Sequence, residues 1–546
     1  MTKYFEMDKF IAAVVAEEEH KHQIEESYGA DGEAKDAERG DMDDDDDDDY
    51  NDQNLIGTQH TQRLRNAERL QKQQRKASRR KYLESVTPRL EILQNMPFFI
   101  PFATRVQIFR RFVTLDQTRR RGTSDPDEWR FAMMNNPQMG NISRHRAKVR
   151  RENIFDDAFA QFYDLGEGLK EPIQIRFVDR FDTIEEGIDG GGVTKEFLTS
   201  ITNEAFSASN GLEALFVEND QHLLYPNPAA LEERKATLQQ ALIEEKSPTW
   251  NESTRDLLRR YEFLGRIIGK CLYEGILVDI HFAPFFLLKW ALTGGSASAT
   301  KESGYRANLN DLRDLDEGLY QGLLQLKNYS GNVEDFSLNF AVTDTIRTSP
   351  TTTKSITREL RPGGADMPVT NENRLVYISF MARYRLQAQP QHQTHAFLKG
   401  LGMIISPNWL SMFNQSELQT LVGGASTEIS VEDLRSNTQY GGIYSIGDDR
   451  VEHPSVQMFW KVMQSLNDTD RKKVLKFVTS TPRAPLLGFG NLNPRFSIRD
   501  SGSDQTRLPS TSTCVNLLKL PVYRDEKVLR ERLLYSVNAG AGFNLS

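Results

Sequence analysis

Regular hydrophobic spacing begins only after about residue 90, and it is mostly helical in period. Leu257, Tyr261, Leu264, Ile268 and Cys271 recur at three- and four-residue steps, which places them on one buried stripe. Ser253 and Asp256 have capping-box spacing and predict that this helix opens there. Leu315–Leu326 predicts a second helix, ended by polar Lys327–Asp335. Leu375, Ile378 and Ala382 predict a third, capped by Thr370 or Asn371. Val456, Phe459, Met463 and Leu466 share one face of a fourth. Asn467 or Thr469 then caps a helix carrying Val474, Leu475 and Val478, and the last helix repeats Leu529, Leu533 and Val537. Strand-like runs are short, as in Ile173–Val178 and Val515–Leu520. The pattern predicts an α+β chain in which helix dominates.

Interruptions of this pattern divide the chain. Residues 20–55 contain the run Asp43–Asp49, which repels itself and buries nothing to offset ordering entropy, so 1–57 is expected to be a disordered acidic tail. Residues 58–85 lack Pro and are rich in Gln, Arg, Lys, Glu and Ala, which predicts an exposed basic helix. Met96–Phe102 with Val106, Ile108, Phe109 and Phe112 reads as an apolar anchor that docks onto something folded, and 115–142 as a loop; together these make a segment 58–149. In Leu421–Glu428 no bulky residue follows Val422, so Gly424, Ala425, Ser426 and Thr427 are the expected hinge between bodies 150–424 and 425–546.

Charge follows the same divisions. The chain of 546 residues has a net charge of −9, but residues 1–52 alone carry −15, residues 63–81 carry +8, and 82–546 are left at −2. The acidic balance therefore describes an appendage to a nearly neutral body. Two cysteines exclude a disulfide framework and a cysteine-rich zinc site and suggest a reducing compartment, cytoplasmic or nuclear. There is no apolar run long enough to span a bilayer, and Phe10–Ala16 is followed by acidic residues rather than a cleavage pattern, so no membrane association is expected. No aromatic residues interleave the basic stretch Arg75–Lys81, which argues against nucleic acid as a partner.

Two segments invite chemistry. Gly187–Glu196 is glycine-rich, but Lys195 lies three residues past Gly192 instead of next to it, so a phosphate loop fails on spacing. A tight turn before a helix near Thr194 is the better reading, and no cofactor or metal is expected. Cys514 follows a polar stretch and leads into the apolar run ending at Pro521, a place where a thiol is exposed yet held, whereas Cys271 sits on a buried stripe. Amide hydrolysis would need a His base and an orienting group. The nine histidines end at His453, 61 residues upstream, and Ser512 occupies the near position. Thioester exchange needs mainly positioning, because the acyl group arrives activated and the leaving group is a thiolate. A cysteine hydrolase and a non-catalytic scaffold remain as alternatives.

Leu508–Tyr523 resembles the active-site motif L-P-x-x-x-T-C-x-N-x-L-x-L-P-x-[YF] of the HECT family of ubiquitin ligases. Further blocks resemble that family in order: Gly187–Phe197, Leu223–Pro228, Tyr261–Lys270, Pro368–Asn373, His453–Trp460, Phe477–Arg483 with Leu487–Phe489, and Gly542–Ser546. The tail and the segment before residue 112 are most similar to its proteasome-associated, chain-elongating branch. The resemblance implies a bilobal HECT domain, with a larger, mostly helical N-lobe (150–424) and a smaller α/β C-lobe (425–546). It implies that Cys514 accepts ubiquitin from a loaded E2 enzyme and passes it to a lysine of a protein substrate. Thr513, Asn516 and Phe543 would support catalysis, Leu319, Leu323, Tyr329, Leu338 and Tyr377 would dock the E2, and the proteasome is a further partner of that branch. Ser512 stands where many members have His, and Asn544 where close relatives are often acidic. The short stretch ahead of the apolar segment suggests a truncated gene product.

Overall fold

The computed structural model describes residues 10–16, 18–19, 93, 96–121, 145–179, 183, 192–207, 214–292, 305–349, 352–424, 428–447, 451–492 and 494–539, with the backbone alone at Gly192, Ala291, Leu292 and Cys514. Most of the acidic tail and all of the basic helix expected at 58–85 lie outside these residues. The chain divides into two compact units, Met1–Asp116 and Gln117–Ser546.

In the first unit, residues 10–16 are helical, and a short turn, Pro97–Phe99, precedes helix α1 (Phe102–Arg121). Arg105 Nε donates to Ile100 O at 2.9 Å, closing the chain over the start of α1. The expected anchor is split: Ile100, Val106, Ile108, Phe109 and Phe112 are buried, while Phe98 and Phe99 are about 70% exposed. The loop expected from 115 is helical as far as Arg121, because Arg119–Arg121 place three cations at the negative end of the helix dipole.

The second unit opens with β1 (Arg146–Arg150) pairing in parallel with β2 (Gln174–Val178), so regular structure starts slightly before residue 150. Helix α2 (Ile154–Phe162) connects them. Then come α3 (Gly192–Phe206), an antiparallel pair β3 (Phe216–Glu218) and β4 (Leu224–Pro226), α4 (Ala230–Gln240) and the long α5 (Pro248–Glu274). The predicted Ser253 cap is incorrect. Ser247 Oγ accepts from Trp250 N at 3.2 Å and Pro248 opens the helix, where its fixed φ and missing N–H carry no penalty. The buried stripe of α5 runs as expected through Tyr261, Leu264, Ile268 and Cys271.

After α6 (Pro284–Leu292), Asp316 caps α7 (Glu317–Asn328), two residues later than the periodicity predicts, because Leu309–Asp314 is a separate tight turn. A hairpin of β5 (Ala341–Arg347) and β6 (Thr353–Glu359) leads to α8 (Arg374–Arg383). Asn373 precedes α8 and its Oδ1 accepts from Thr370 N at 2.8 Å, so Thr370 is the donor in that turn rather than the cap. Helix α9 (Gln391–Ile404) packs along α5, and α10 (Gln415–Gly423) closes this part with an Asn414–Glu417 capping box.

The C-terminal residues have a hydrophobic core of their own. It gathers Val456, Phe459, Trp460 and Met463 of α11 (Pro454–Ser465), Val474, Leu475 and Val478 of α12 (Asp468–Thr479), and Leu529 and Leu533 of α13 (Glu526–Asn538). These helices cover a mixed four-stranded sheet of β7 (Gln439–Gly441), β8 (Ser497–Asp500), β9 (Ser510–Ser512) and β10 (Leu517–Leu520). Its order is β7-β8-β10-β9, parallel except for the last pair. Among the described residues no helix is long and apolar enough to cross a membrane.

Candidate functional site

Cys514 lies on the tight turn Thr513–Val515 that joins β9 to β10, with Leu517 opposite Ser512 in the antiparallel ladder. The expected loop-to-strand junction is thus the tip of a strand-turn-strand. Leu518 and Leu520 hold β10 in the core, so the turn is carried on a rigid element. Asn516 ends the turn with φ 52°, a left-handed conformation that Asn tolerates better than most side chains.

Asn516 is 0% exposed and fully engaged. Its backbone N–H donates to Thr513 O and its carbonyl accepts from Ser497 N at 3.0 Å. Its Nδ2 donates to Pro494 O, and its Oδ1 accepts from Lys195 Nζ at 2.5 Å. Lys195, dismissed with the failed phosphate loop, therefore belongs to this site; no local spacing announces it, because its partner lies 321 residues away. Thr513 is half-buried next to Cys514.

His453 and the second thiol are committed elsewhere. His453 caps α11, its Nδ1 accepting from Ser455 N at 3.2 Å. Cys271 is 2% exposed, and burial pushes its thiol up to about 12. Phe543, Ala425, Ser426 and Thr427 lie outside the described residues, while Gly424 ends α10 at φ 87°. Two contacts join the segments that precede and follow that point. Lys476 of α12 pairs with Asp279 at 3.1 Å, and Arg483 donates to His281 Nε2.

An apolar surface is built around α7 and α8. Tyr329 and Phe336 meet edge to face at 4.8 Å and are 38% and 49% exposed; Leu375 and Val376 of α8 are 58% and 45% exposed. Arg374 Nη1 donates to Tyr329 O at 2.5 Å, tying the two parts together. Leu319 and Leu338 are half-buried, whereas Leu323 and Tyr377 are buried, Tyr377 against the Phe340 ring at 5.4 Å. Phe336 and Val376 escaped sequence reasoning, and Leu375, expected on the buried face with Ile378 and Ala382, is instead exposed, because the buried face of α8 runs through Tyr377, Ile378, Met381 and Ala382. A cleft of about 850 Å³ beside Asp344, Tyr384 and Arg385 contains no member of the cysteine turn.

Residues 199–546 match the family HECT-domain (ubiquitin-transferase). The chain is 42% identical over 460 residues to a probable E3 ubiquitin protein ligase of Schizosaccharomyces pombe, covering 84% of this chain and 39% of that protein. It is 37% identical over 459 residues to E3 ubiquitin-protein ligase HUL5 of Saccharomyces cerevisiae, covering 84% and 45%. To the human ubiquitin-protein ligase E3B it is 33% identical over 484 residues, covering 83% and 40%. The chain belongs to the HECT-domain family, and what it carries is a ubiquitin-transferase domain. It spans about two fifths of the length of these curated relatives.

Proposed function

We propose that this chain acts as a HECT-type E3 ubiquitin ligase with Cys514 as its nucleophile. The supporting observation is the position of Cys514 on a turn held by β10 and Asn516, in a chain of this family. In the first transfer the Cys514 thiolate attacks the E2–ubiquitin thioester; a new C–S bond forms and the E2 thiolate leaves. In the second, a substrate lysine amine attacks the Cys514 thioester; a C–N bond forms, the C–S bond breaks, and the amine's lost proton balances the released thiol. Neither step needs a metal or an external oxidant. Residues 150–424 serve as the lobe that receives the E2 and 425–546 as the lobe that carries Cys514, with the hinge at Gly424–Thr427. Tyr329 and its exposed neighbours Phe336, Leu375 and Val376 offer the E2 a surface, supported below by Leu319, Leu323, Leu338 and Tyr377.

The resemblance of the tail and of the segment before residue 112 supports substrates met at the proteasome, in the cytoplasm or nucleus. Phe543 then acts mainly in the second transfer. Mixing the chain with E1, E2, ubiquitin and ATP should give a thiol-sensitive ubiquitin adduct on a non-reducing gel. Cys514→Ala should abolish it, and an undiminished adduct on that variant would refute the assignment. Phe543→Ala should keep the adduct and lose isopeptide products; equal loss of both would remove Phe543 from the second step.

A further inference from the structure

Lys195 lies in the first turn of α3 and is only 6% exposed. A buried ammonium persists only where strong acceptors replace its water. One of the acceptors is Oδ1 of Asn516, two residues past Cys514. The other end of that amide holds Pro494 O, just ahead of β8, so one side chain ties the turn both to its own sheet and to α3. Helix α3 itself packs against the turn.

The rest of α3 packs on α2, β2 and α5. The exposed apolar surface is carried by a different group of elements: α7 and α8 pack on each other and on Leu309–Asp314. A turn bound to α3 is therefore bound to the part of the N-lobe that does not bear the E2 surface. The contacts near the hinge, Lys476–Asp279 and Arg483–His281, include no residue of the turn, although α12 also packs on it.

We infer that Lys195 is a positioning residue for the second transfer, seating the Cys514 turn on α3 through Asn516 while the acceptor lysine attacks. This rests on the ligase reading above. The bond forms after ubiquitin has left the E2 and breaks when the turn returns for the next one, so its loss impairs discharge and spares loading.

The test is a pulse–chase with the full chain, in which Cys514 is loaded from E2–ubiquitin, E1 is quenched, and an excess of ubiquitin is added as acceptor. Lys195→Met should load within about twofold of wild type and discharge to isopeptide roughly tenfold more slowly, the size expected for one charge-assisted hydrogen bond. Lys195→Arg keeps a cationic donor and should recover most of the rate. Amide hydrogen exchange at Thr513–Leu517 reads the same seat without catalysis: it should quicken in Lys195→Met and stay native-like in Lys195→Arg. Unchanged discharge, equal loss of loading and discharge, or unchanged exchange would each overturn the role. A wild-type chain that forms no adduct at all would instead overturn the ligase reading, and this inference with it.

Discussion

The Cys271 thiol and the His281 and His145 rings are where single-residue environment decides chemistry. Burial pushes the Cys271 thiol up to about 12, so it carries almost no thiolate at neutral pH. In native protein at pH 7.5, iodoacetamide followed by mass spectrometry should leave Cys271 unmodified until the chain is unfolded; rapid native labelling would contradict its packing. His281 shows the opposite sign of titration. Burial and the Arg483 guanidinium lower its pKa, because a second proton would set two donors face to face. The unfolded chain protonates this ring below about pH 6.5, while the folded chain resists. The unfolded state then binds more protons, so this contribution to stability is present above that pH and lost as pH falls. Urea midpoints between pH 7.5 and 5.5 should fall less steeply for His281→Gln than for wild type. His145, lowered mainly by burial, adds a slope that this variant retains. The junction at Cys514 was legible because polar punctuation and an apolar run meet there, while its role as nucleophile came from the resemblance to the family. Lys195 was not, since a contact across 321 residues leaves no periodic trace.

Elements were legible where one face is buried along the whole length. The α5 stripe and the faces of α11, α12 and α13 follow their apolar spacing, because burial of that stripe is most of what stabilises such helices. Helix starts were less legible. Ser253 and Thr370 are plausible caps by residue type, but Pro248 and Asn373 supply geometry that spacing does not reveal. Least visible was the glycine seam between α5 and α9. A Cβ on Gly265 would run into the Phe397 carbonyl and come within 2.8 Å of Leu401 N; one on Gly269 would lie 2.8 Å from Ile404 Cβ. Glycine at these positions permits backbone-to-backbone approach, at the cost of helix propensity. Gly265→Ala meets main chain rather than a movable side chain, so it should destabilise by about 3 kcal/mol, the upper part of the overpacking range. A urea midpoint unchanged from wild type would show that the helices can separate without loss.

At the scale of the molecule, the exposed apolar surface proposed for E2 and the cysteine turn belong to different groups of elements, which makes the order of events testable. The apolar surface of Tyr329, Phe336, Leu375 and Val376 was only half legible, because Tyr329 was marked by resemblance while the exposure of its neighbours depends on how α7 and α8 fold together. Most of the acidic tail and all of the basic helix expected from composition lie outside the described residues. If E2 docks on that surface, removing the Tyr329 ring takes away one wall of an aromatic pair and exposes Phe336. Loading of Cys514 should then fall at least tenfold in Tyr329→Ala, consistent with loss of an interface anchor of about 1.4 kcal/mol or more. Discharge of the adduct that does form should proceed at the wild-type rate, because Tyr329 does not touch the seat at Lys195 and Asn516. Lys195→Met should give the reverse pattern, and the double variant should show both defects, each in its own phase of the pulse–chase. If Tyr329→Ala slowed discharge as strongly as loading, the two groups of elements would be acting as one site, and separation of the two transfers between them would have to be abandoned.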